Sequence, residues 1–371
     1  MLILGIETSC DDTAVAVLEV HPVKSPDGGT TKWLFDRVKV KSNVVSSQVK
    51  LHAKYGGVFP SLAAREHEKN LPKVLKLALK EAKIKIEDID LIAVTKGPGL
   101  APSLWRGVNF ANELAKRFKK PITGVNHLEG HIYSNWLRPT GEKSKTQMTN
   151  DKIFPALNLI VSGGHTELVL MKGHGRYKII GETLDDAVGE AFDKVARMLG
   201  LGYPGGPAVA LRATKFKVES SSSYKIKFPR PMINSKDFNF SFSGLKTAVL
   251  YKTREFTRLP DGQEKLSPKI VNQICYEFQE AAIDVLISKT IKAGEKYKVK
   301  SVMLSGGVSA NKSLREKLEK KISAELNNVK FFKPDMTYTS DNAAMIALAG
   351  YMKKKNAKQG SVKVDANLNL G

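Results

Sequence analysis

His127 and His131 stand four residues apart in "VNHLEGHIYSNW" (125–136), with Glu129 between them. On a helix, positions i and i+4 share a face, so both imidazoles can reach one metal ion. The zinc-peptidase pattern is H-E-x-x-H, in which the general-base glutamate directly follows the first histidine. Leu128 holds that place, and Glu129 comes one residue later, turned about 100° around the helix. Peptidase chemistry is thus poorly supported, which leaves another kind of metal site or two histidines in surface or capping roles. A metal site needs a further ligand. Asp341 in "TSDNAAMIALAG" offers an oxygen from the start of a helix, where the ordinary use of aspartate is capping.

Two other groups of residues could carry chemistry. The turn "ETSCDDT" holds Glu7, Asp11 and Asp12, acids that can orient a water or take a proton, although Asp-Asp more often serves turn formation. Cys10 beside them has no activating partner in sequence and reads as structural. Four glycine-rich turns follow apolar strands or helices: "TKGPG" (95–99), "SGGHT" (162–166), "YPGGP" (203–207) and "SGGVSAN" (305–311). Glycine lets backbone N–H groups approach phosphate oxygens, and a helix start behind the turn adds a favourable dipole. A single Gly-Gly pair merely turns the chain; four at strand ends suggest a nucleotide in a cleft. None is a Walker loop or a G-x-G-x-x-G fingerprint.

The elements that must position these residues follow from periodicity. "LILGIETS" and "TAVAVLEV" around "CDD" predict a hairpin, and "WLFDRVKVK" a third strand. "LPKVLKLALKEA" has the three-four apolar spacing of an amphipathic helix with Pro72 near its start. Strand "LIAVT", helix "SLWRGVNFANELAKRF" and strand "ITGVN" continue an α/β alternation. Near residue 156 the pattern restarts as "ALNLIV", "SGGHT", "ELVLMK", which predicts a duplicated fold. "YEFQEAAIDVLISKTIKAGEKY" predicts a long helix, and "VKSVMLSGGVSANKSLREKLEKKI" a strand, turn and helix. The boundary is expected in the loop of residues 138–155, and "AKQGSVKVDANLNLG" is expected to be poorly structured.

Composition sets outer bounds. A chain of 371 residues suits two domains, and 42% hydrophobic with 26% charged residues is that of a globular protein. Lysine and arginine number 59 against 37 acids, a net +22 that suits either a polyanionic partner or a solvated lysine-rich surface. Two cysteines far apart exclude a disulfide framework or a thiolate zinc site and point to a reducing compartment. No apolar run approaches the roughly 18 residues of a membrane span, and the chain opens directly on a strand. A cytoplasmic protein without membrane attachment is expected, or a mitochondrial one whose transit peptide is absent from this chain.

Taken together, "GIETSCDDT", "KGPGLAPSLWRG", "NHLEGH", "VSGGHTEL", "DDAVGEAFDKVARMLGLGYPGGP", "FSFSGLKTA", "SGGVSAN" and "SDNAAMIA" resemble the universal tRNA adenosine threonylcarbamoyltransferases, in order over nearly the whole chain. The resemblance implies the actin-like ATPase (ASKHA) fold: two duplicated α/β domains, 1–140 and 150–371, with the active site in the cleft between them. A helical insertion is expected at about 186–295, and the C-terminal helix is expected to pack back on the first domain. The implied reaction moves a threonylcarbamoyl group from threonylcarbamoyl-adenylate to N6 of the adenine beside the anticodon, in tRNAs reading codons that begin with A.

By the same resemblance His127, His131 and Asp341 match the ligands of one divalent metal, Fe2+ or Zn2+, while Ile160, Val161, Ser162, Gly163 and Gly164 match the substrate-binding strand and turn. Asp193, Gly206 and Asn311 match positions that hold the nucleoside, and ATP is a further candidate ligand. Three departures stand out. Ile160 replaces the metal-binding tyrosine of archaeal and eukaryotic cytosolic members, which places the chain on the bacterial or organellar branch; Ser61 stands where the family commonly has Glu, and Ala210 where many members have an acid. Because the donor is already a mixed anhydride, no enzyme nucleophile is needed, and Asp11 is the candidate proton acceptor for the adenine amine. Implied partners are tRNA with a smaller paralogous subunit and a small ATPase if the chain is bacterial, or a homodimer if organellar. The competing readings are a metallopeptidase and a non-catalytic tRNA- or partner-binding paralogue.

Overall fold

The computed structural model describes residues 1–21, 38–139, 150–219, 226–257, 266–354, 357 and 359–370. Two five-stranded sheets organise them. The first has β1 (Leu2–Glu7) at its centre, antiparallel to β2 (Asp12–Val20), which pairs antiparallel with β3 (Val38–Ser47) at the edge. On its other side β1 runs parallel to β4 (Leu91–Gly97), and β4 to β5 (Ile122–Asn126). The second sheet repeats this order. Its central β6 (Ala156–Val161) is antiparallel to β7 (Thr166–Gly173), which is antiparallel to β8 (Arg176–Glu182). Beyond β6 lie β9 (Ser301–Ser305) and β10 (Lys330–Phe332), both parallel. The duplication expected from the two hairpin-like openings is thus a duplication of topology, strand for strand.

Helices fill both faces of each sheet, which is why the central strands are continuous apolar runs. In order, α1 (Val49–His52) is a single turn; α2 (Pro60–Ala82) and α3 (Ala101–Phe118) cover one face of the first sheet; α4 (His127–Tyr133) follows β5. After the short α5 (Asn150–Ile153), α6 (Val188–Met198), α7 (Gly205–Glu219), α8 (Ser243–Thr257) and α9 (Pro268–Lys296) gather on the outer face of the second sheet. They are followed by α10 (Lys312–Glu325) and α11 (Ala343–Met352). Alternation along β1 divides its side chains: Leu4 and Ile6 join the core under α2 and α3, and Ile3 faces the opposite way. That opposite face meets α11 and α4, and the same core continues into Ile160, Val169 and Met303 of the second sheet. One apolar layer therefore ties the two sheets together, with α4 and α11 inside it.

Three sequence expectations are corrected. The amphipathic helix begins at Pro60, so Pro72 lies in its interior. Its buried stripe runs back through Ala63, Ala64 and the polar His67, which hides the pattern, while Pro60 occupies the first turn, where no N–H is required. The third strand runs over Val38–Ser47, and the residues of "WLFDRVKVK" up to 37 lie outside the described ones, as do 140–149 of the expected boundary loop. The C-terminal stretch has no helix or strand, yet it is pinned along the first sheet and α3. Asp365 N–H donates to the Lys96 carbonyl at 2.8 Å, Val362 N–H to Asn112 Oδ1 at 2.9 Å, and Leu370 is buried. Among the described residues no helix is long and apolar enough to cross a membrane.

Candidate metal centre

The chain leaves β5 at Asn126, whose side-chain oxygen accepts the N–H groups of Leu128 at 2.8 Å and Glu129 at 3.3 Å. This cap starts α4 at His127, and one helical turn then carries His127 and His131 on the same face. Their ring centroids are 4.6 Å apart and nearly perpendicular. Gly130 between them faces α11: a Cβ there would come within 2.7 Å of Ile346, so its absence lets the two helices close together. That approach brings Asp341 over the histidines, its Oδ1 lying 3.5 Å from His127 Nε2 and 3.2 Å from His131 Nε2. Capping of α11 is done by Asn342, which accepts the Met345 N–H at 3.0 Å, so Asp341 is released from the role that sequence alone would give it.

The three side chains fit a metal ion. Their ligand atoms lie within 4.8 Å of one another. His131 is buried with Nδ1 lacking a hydrogen-bond partner and Nε2 facing the Asp341 carboxylate at 3.2 Å, so the imidazole and the carboxylate converge on one point as they do around a cation. His127 is held from behind, with Nδ1 3.0 Å from Glu7 Oε2 and 3.2 Å from Ser9 Oγ. Glu7 is fully buried and also accepts the Thr95 hydroxyl at 2.6 Å and the Ser9 N–H. Burial pushes the Glu7 carboxyl up, but the charge of His127 and its bond outweigh this and hold it below its ordinary value. Burial likewise lowers His127, and the charges of Glu7 and Asp341 overcome it to bring the imidazole to about 9. Asp341 is raised by burial but drawn down to about 2, chiefly by His127 and then His131. Two imidazoles and one carboxylate form a donor set suited to Zn2+ or Fe2+ with positions left open for a ligand.

Glu129 takes no part. It points to the other side of α4, accepting the Tyr177 hydroxyl at 3.0 Å and pairing with Lys353 at 2.5 Å. A peptidase base is therefore missing from the one position sequence left for it. Two neighbours of the cluster were not assigned to it by sequence. Glu7, 120 residues from its histidine, was visible only as one acid of a turn. His165 of the "SGGHT" turn is pushed down to about 4 by burial and then by the nearby charges of His127 and His131, which places that turn beside the cluster.

The remaining candidates divide. Asp11 sits in the turn after β1, with Oδ2 buried and unpaired; burial, then Asp341, pushes its carboxyl up against a hydrogen bond with Cys10. Asp12, the first residue of β2, rises to about 7 for the same leading reasons. Cys10 is raised well above the ordinary thiol value by burial and Asp11, an inert environment. Gly163, Gly164 and Gly206 face open space, so a ligand can approach their backbone, and Ser162 closes its turn by accepting the His165 N–H at 3.0 Å. "TKGPG" differs: the space over Gly97 and Gly99 is taken by Asp365 and Ser9. Ile160 and Val161 are fully buried and their side chains belong to cores on opposite faces of the sheet. Asp193 is engaged in holding the "YPGGP" turn, accepting the Gly205 N–H at 2.7 Å. Asn311 caps α10 through the Leu314 N–H at 3.0 Å and donates to Gln279 at 2.8 Å.

Comparison with known proteins adds a separate line. Residues 39–348 match the family described as tRNA N6-adenosine threonylcarbamoyltransferase. The protein of that name from Thermosipho africanus is 44% identical over 370 residues, covering 100% of this chain and 99% of its own. The one from Persephonella marina is 46% identical over 369 residues, covering 98% of this chain and 93% of its own. Among solved structures, HypF of T. kodakarensis superposes with a TM-score of 0.58 at 13% identity, over 96% of this chain and 48% of that one, a likeness of fold alone.

Proposed function

The chain belongs to the tRNA N6-adenosine threonylcarbamoyltransferase family, and on that premise we propose how its residues carry out the transfer to tRNA. The fold is the actin-like ATPase fold of that family. The donor is threonylcarbamoyl-adenylate, and the acceptor is N6 of the adenine next to the anticodon in tRNAs reading codons that begin with A. The observation that carries the site assignment is the convergence of His127, His131 and Asp341, whose ligand atoms lie within 4.8 Å of one another.

His127, His131 and Asp341 would hold one divalent ion, Fe2+ or Zn2+. When bound, it supplies Lewis-acid stabilisation of charge on a donor oxygen. Glu7 keeps the His127 proton on Nδ1 and so turns the Nε2 lone pair toward the site. The open backbone of Gly163 and Gly164 receives the phosphate of the adenylate, and Gly206 lets the nucleoside lie against its turn, with Asp193 and Asn311 fixing the loops on either side. Ile160 and Val161 contribute backbone and position, since their side chains are buried. Asp11 accepts the proton that the adenine amine loses as the new N–C bond forms and the carbamoyl C–O bond breaks to release AMP; burial raises its carboxyl and so its basicity. The surplus of positive charge serves the tRNA backbone.

The test is reconstitution: the chain, adenylate donor and unmodified tRNA, with and without a smaller paralogous subunit and a small ATPase, read by nucleoside mass analysis. Threonylcarbamoyladenosine is expected, and its absence from every combination would overturn the reading. The mass of the active assembly separates the heteromeric arrangement from a homodimer. His131→Ala should lose both bound metal and transfer; full transfer by a metal-free His127→Ala, His131→Ala double variant would refute the site.

A further inference from the structure

Tyr55 and Phe59 are 61% and 52% exposed, and their rings lie 5.8 Å apart with planes inclined at 30°. Aromatic rings of this size are normally used in cores or at contacts. Displaying two side by side on a surface calls for a ligand.

The segment that carries them is built firmly and built from the site. Gln48 N–H donates to the Asp11 carbonyl at 3.2 Å, the Gln48 side chain meets His52 Nε2 at 3.1 Å, and His52 Nδ1 accepts the Phe59 N–H at 3.2 Å. His52 itself is fully buried. The two rings are thus tied through one buried histidine to the turn that bears Asp11. Between them the chain reverses at Gly56, with φ of +67°, and its carbonyl accepts a hydrogen bond from Arg197. Arg197 comes from α6 of the second domain, one turn beyond Asp193, whose carboxyl feels both Arg197 and Asp11. The rings therefore stand on the segment that joins the Asp11 turn of the first sheet to α6, with the Arg197 guanidinium bonded to the backbone between them.

We propose that Tyr55 and Phe59 form a stacking platform for an anticodon-loop nucleotide adjoining the target adenine, with Arg197 as the cation alongside; this rests on the tRNA reading above. For N6 to enter the cleft the adenine must leave the loop stack, and its neighbours then lose a stacking partner. Exposed aromatics and arginine planes are how proteins receive such splayed bases. Placed on that segment, the platform would fix the loop while the adenine passes inward to the Asp11 turn.

The experiment uses the assembly that modifies tRNA and an anticodon stem-loop carrying 2-aminopurine on either side of the target adenine. With the wild type, 2-aminopurine fluorescence at one of the two positions is expected to be quenched on binding. The Tyr55→Ala, Phe59→Ala double variant should lose that quench and raise KM for tRNA roughly ten- to hundredfold, the range of one or two lost base–aromatic stacks. Its kcat at saturating tRNA and its metal content should stay near wild type. Tyr55→Phe with Phe59→Tyr should restore both quench and KM. An unchanged quench and KM in the alanine pair would overturn the platform, as would ring-preserving variants as impaired as alanine. Release of a protein subunit with the fluorescence signal intact would overturn it too, assigning the rings to a protein contact. Wild-type assembly that leaves tRNA unmodified would instead count against the function itself.

Discussion

Glu7 controls a proton it never gives away. Its carboxylate keeps the His127 proton on Nδ1, and that decides which nitrogen faces Asp341. Glu7→Gln keeps the shape but lets an amide N–H face Nδ1, which favours the opposite tautomer; metal content, measured by elemental analysis, should fall roughly ten- to hundredfold in affinity, with transfer falling alongside. Glu167 of β7 poses a different test. Burial, then the charge of Glu182, raises its carboxyl to about 7. The folded state thus holds this proton more tightly than the unfolded chain, so the cost of ionising it is absent below about pH 4.5 and grows as pH rises through 7. Glu167→Gln should therefore raise the unfolding free energy by on the order of 2 kcal/mol at pH 8 and leave it unchanged at pH 4, a contrast read by denaturant titration at the two values. At this scale the sequence disclosed the histidine pair, because helical spacing puts both on one face, and offered Asp341 as the further oxygen ligand, a choice the family likeness repeated. It offered Glu7 only as one acid of a turn and did not mark His165, because their neighbours in space are far along the chain.

Among the elements, α11 has the most leverage on chemistry. It lies in the apolar layer between the sheets and approaches β1 so closely that a Cβ on Gly5 would come within 2.1 Å of the Ala343 carbonyl oxygen. Gly5→Ala touches no candidate ligand, yet it must push the start of α11 away and with it Asp341. Lower metal content and a loss of about 1–3 kcal/mol in stability are expected, both measured on the purified variant; unchanged metal content would show that the helix can shift without moving Asp341. The periodic elements were legible because each sheet and helix buries a regular stripe. Where a stripe is interrupted by a polar buried residue, as at His67 in α2, the pattern breaks and the helix start is misplaced by about three turns. Asn342 shows the opposite case: two adjacent residues could both cap α11, and only the backbone geometry assigns the cap to one.

For the whole molecule, the repeated strand order was readable from two hairpins with polar turns, since topology follows from element order and short connections. The layer joining the two sheets was not, because its residues look like any others that face a core. Nor was the fate of the C-terminal stretch, which carries no periodicity and is fixed by single backbone bonds to Lys96 and Asn112. The ligands of the candidate centre come from opposite ends of this arrangement: His127 and His131 directly after the first sheet, Asp341 after the second. An ion held by all three is consequently a reversible clasp closing a loop of more than half of the chain. Mass action then links occupancy to folding: at a free ion concentration 100-fold above Kd the native state gains ~2.7 kcal/mol. Chelation should lower the thermal midpoint of the intact chain and leave that of the His127→Ala, His131→Ala variant where it was. By the same linkage, a cell's supply of the ion would govern how long the protein lasts as well as how fast it works.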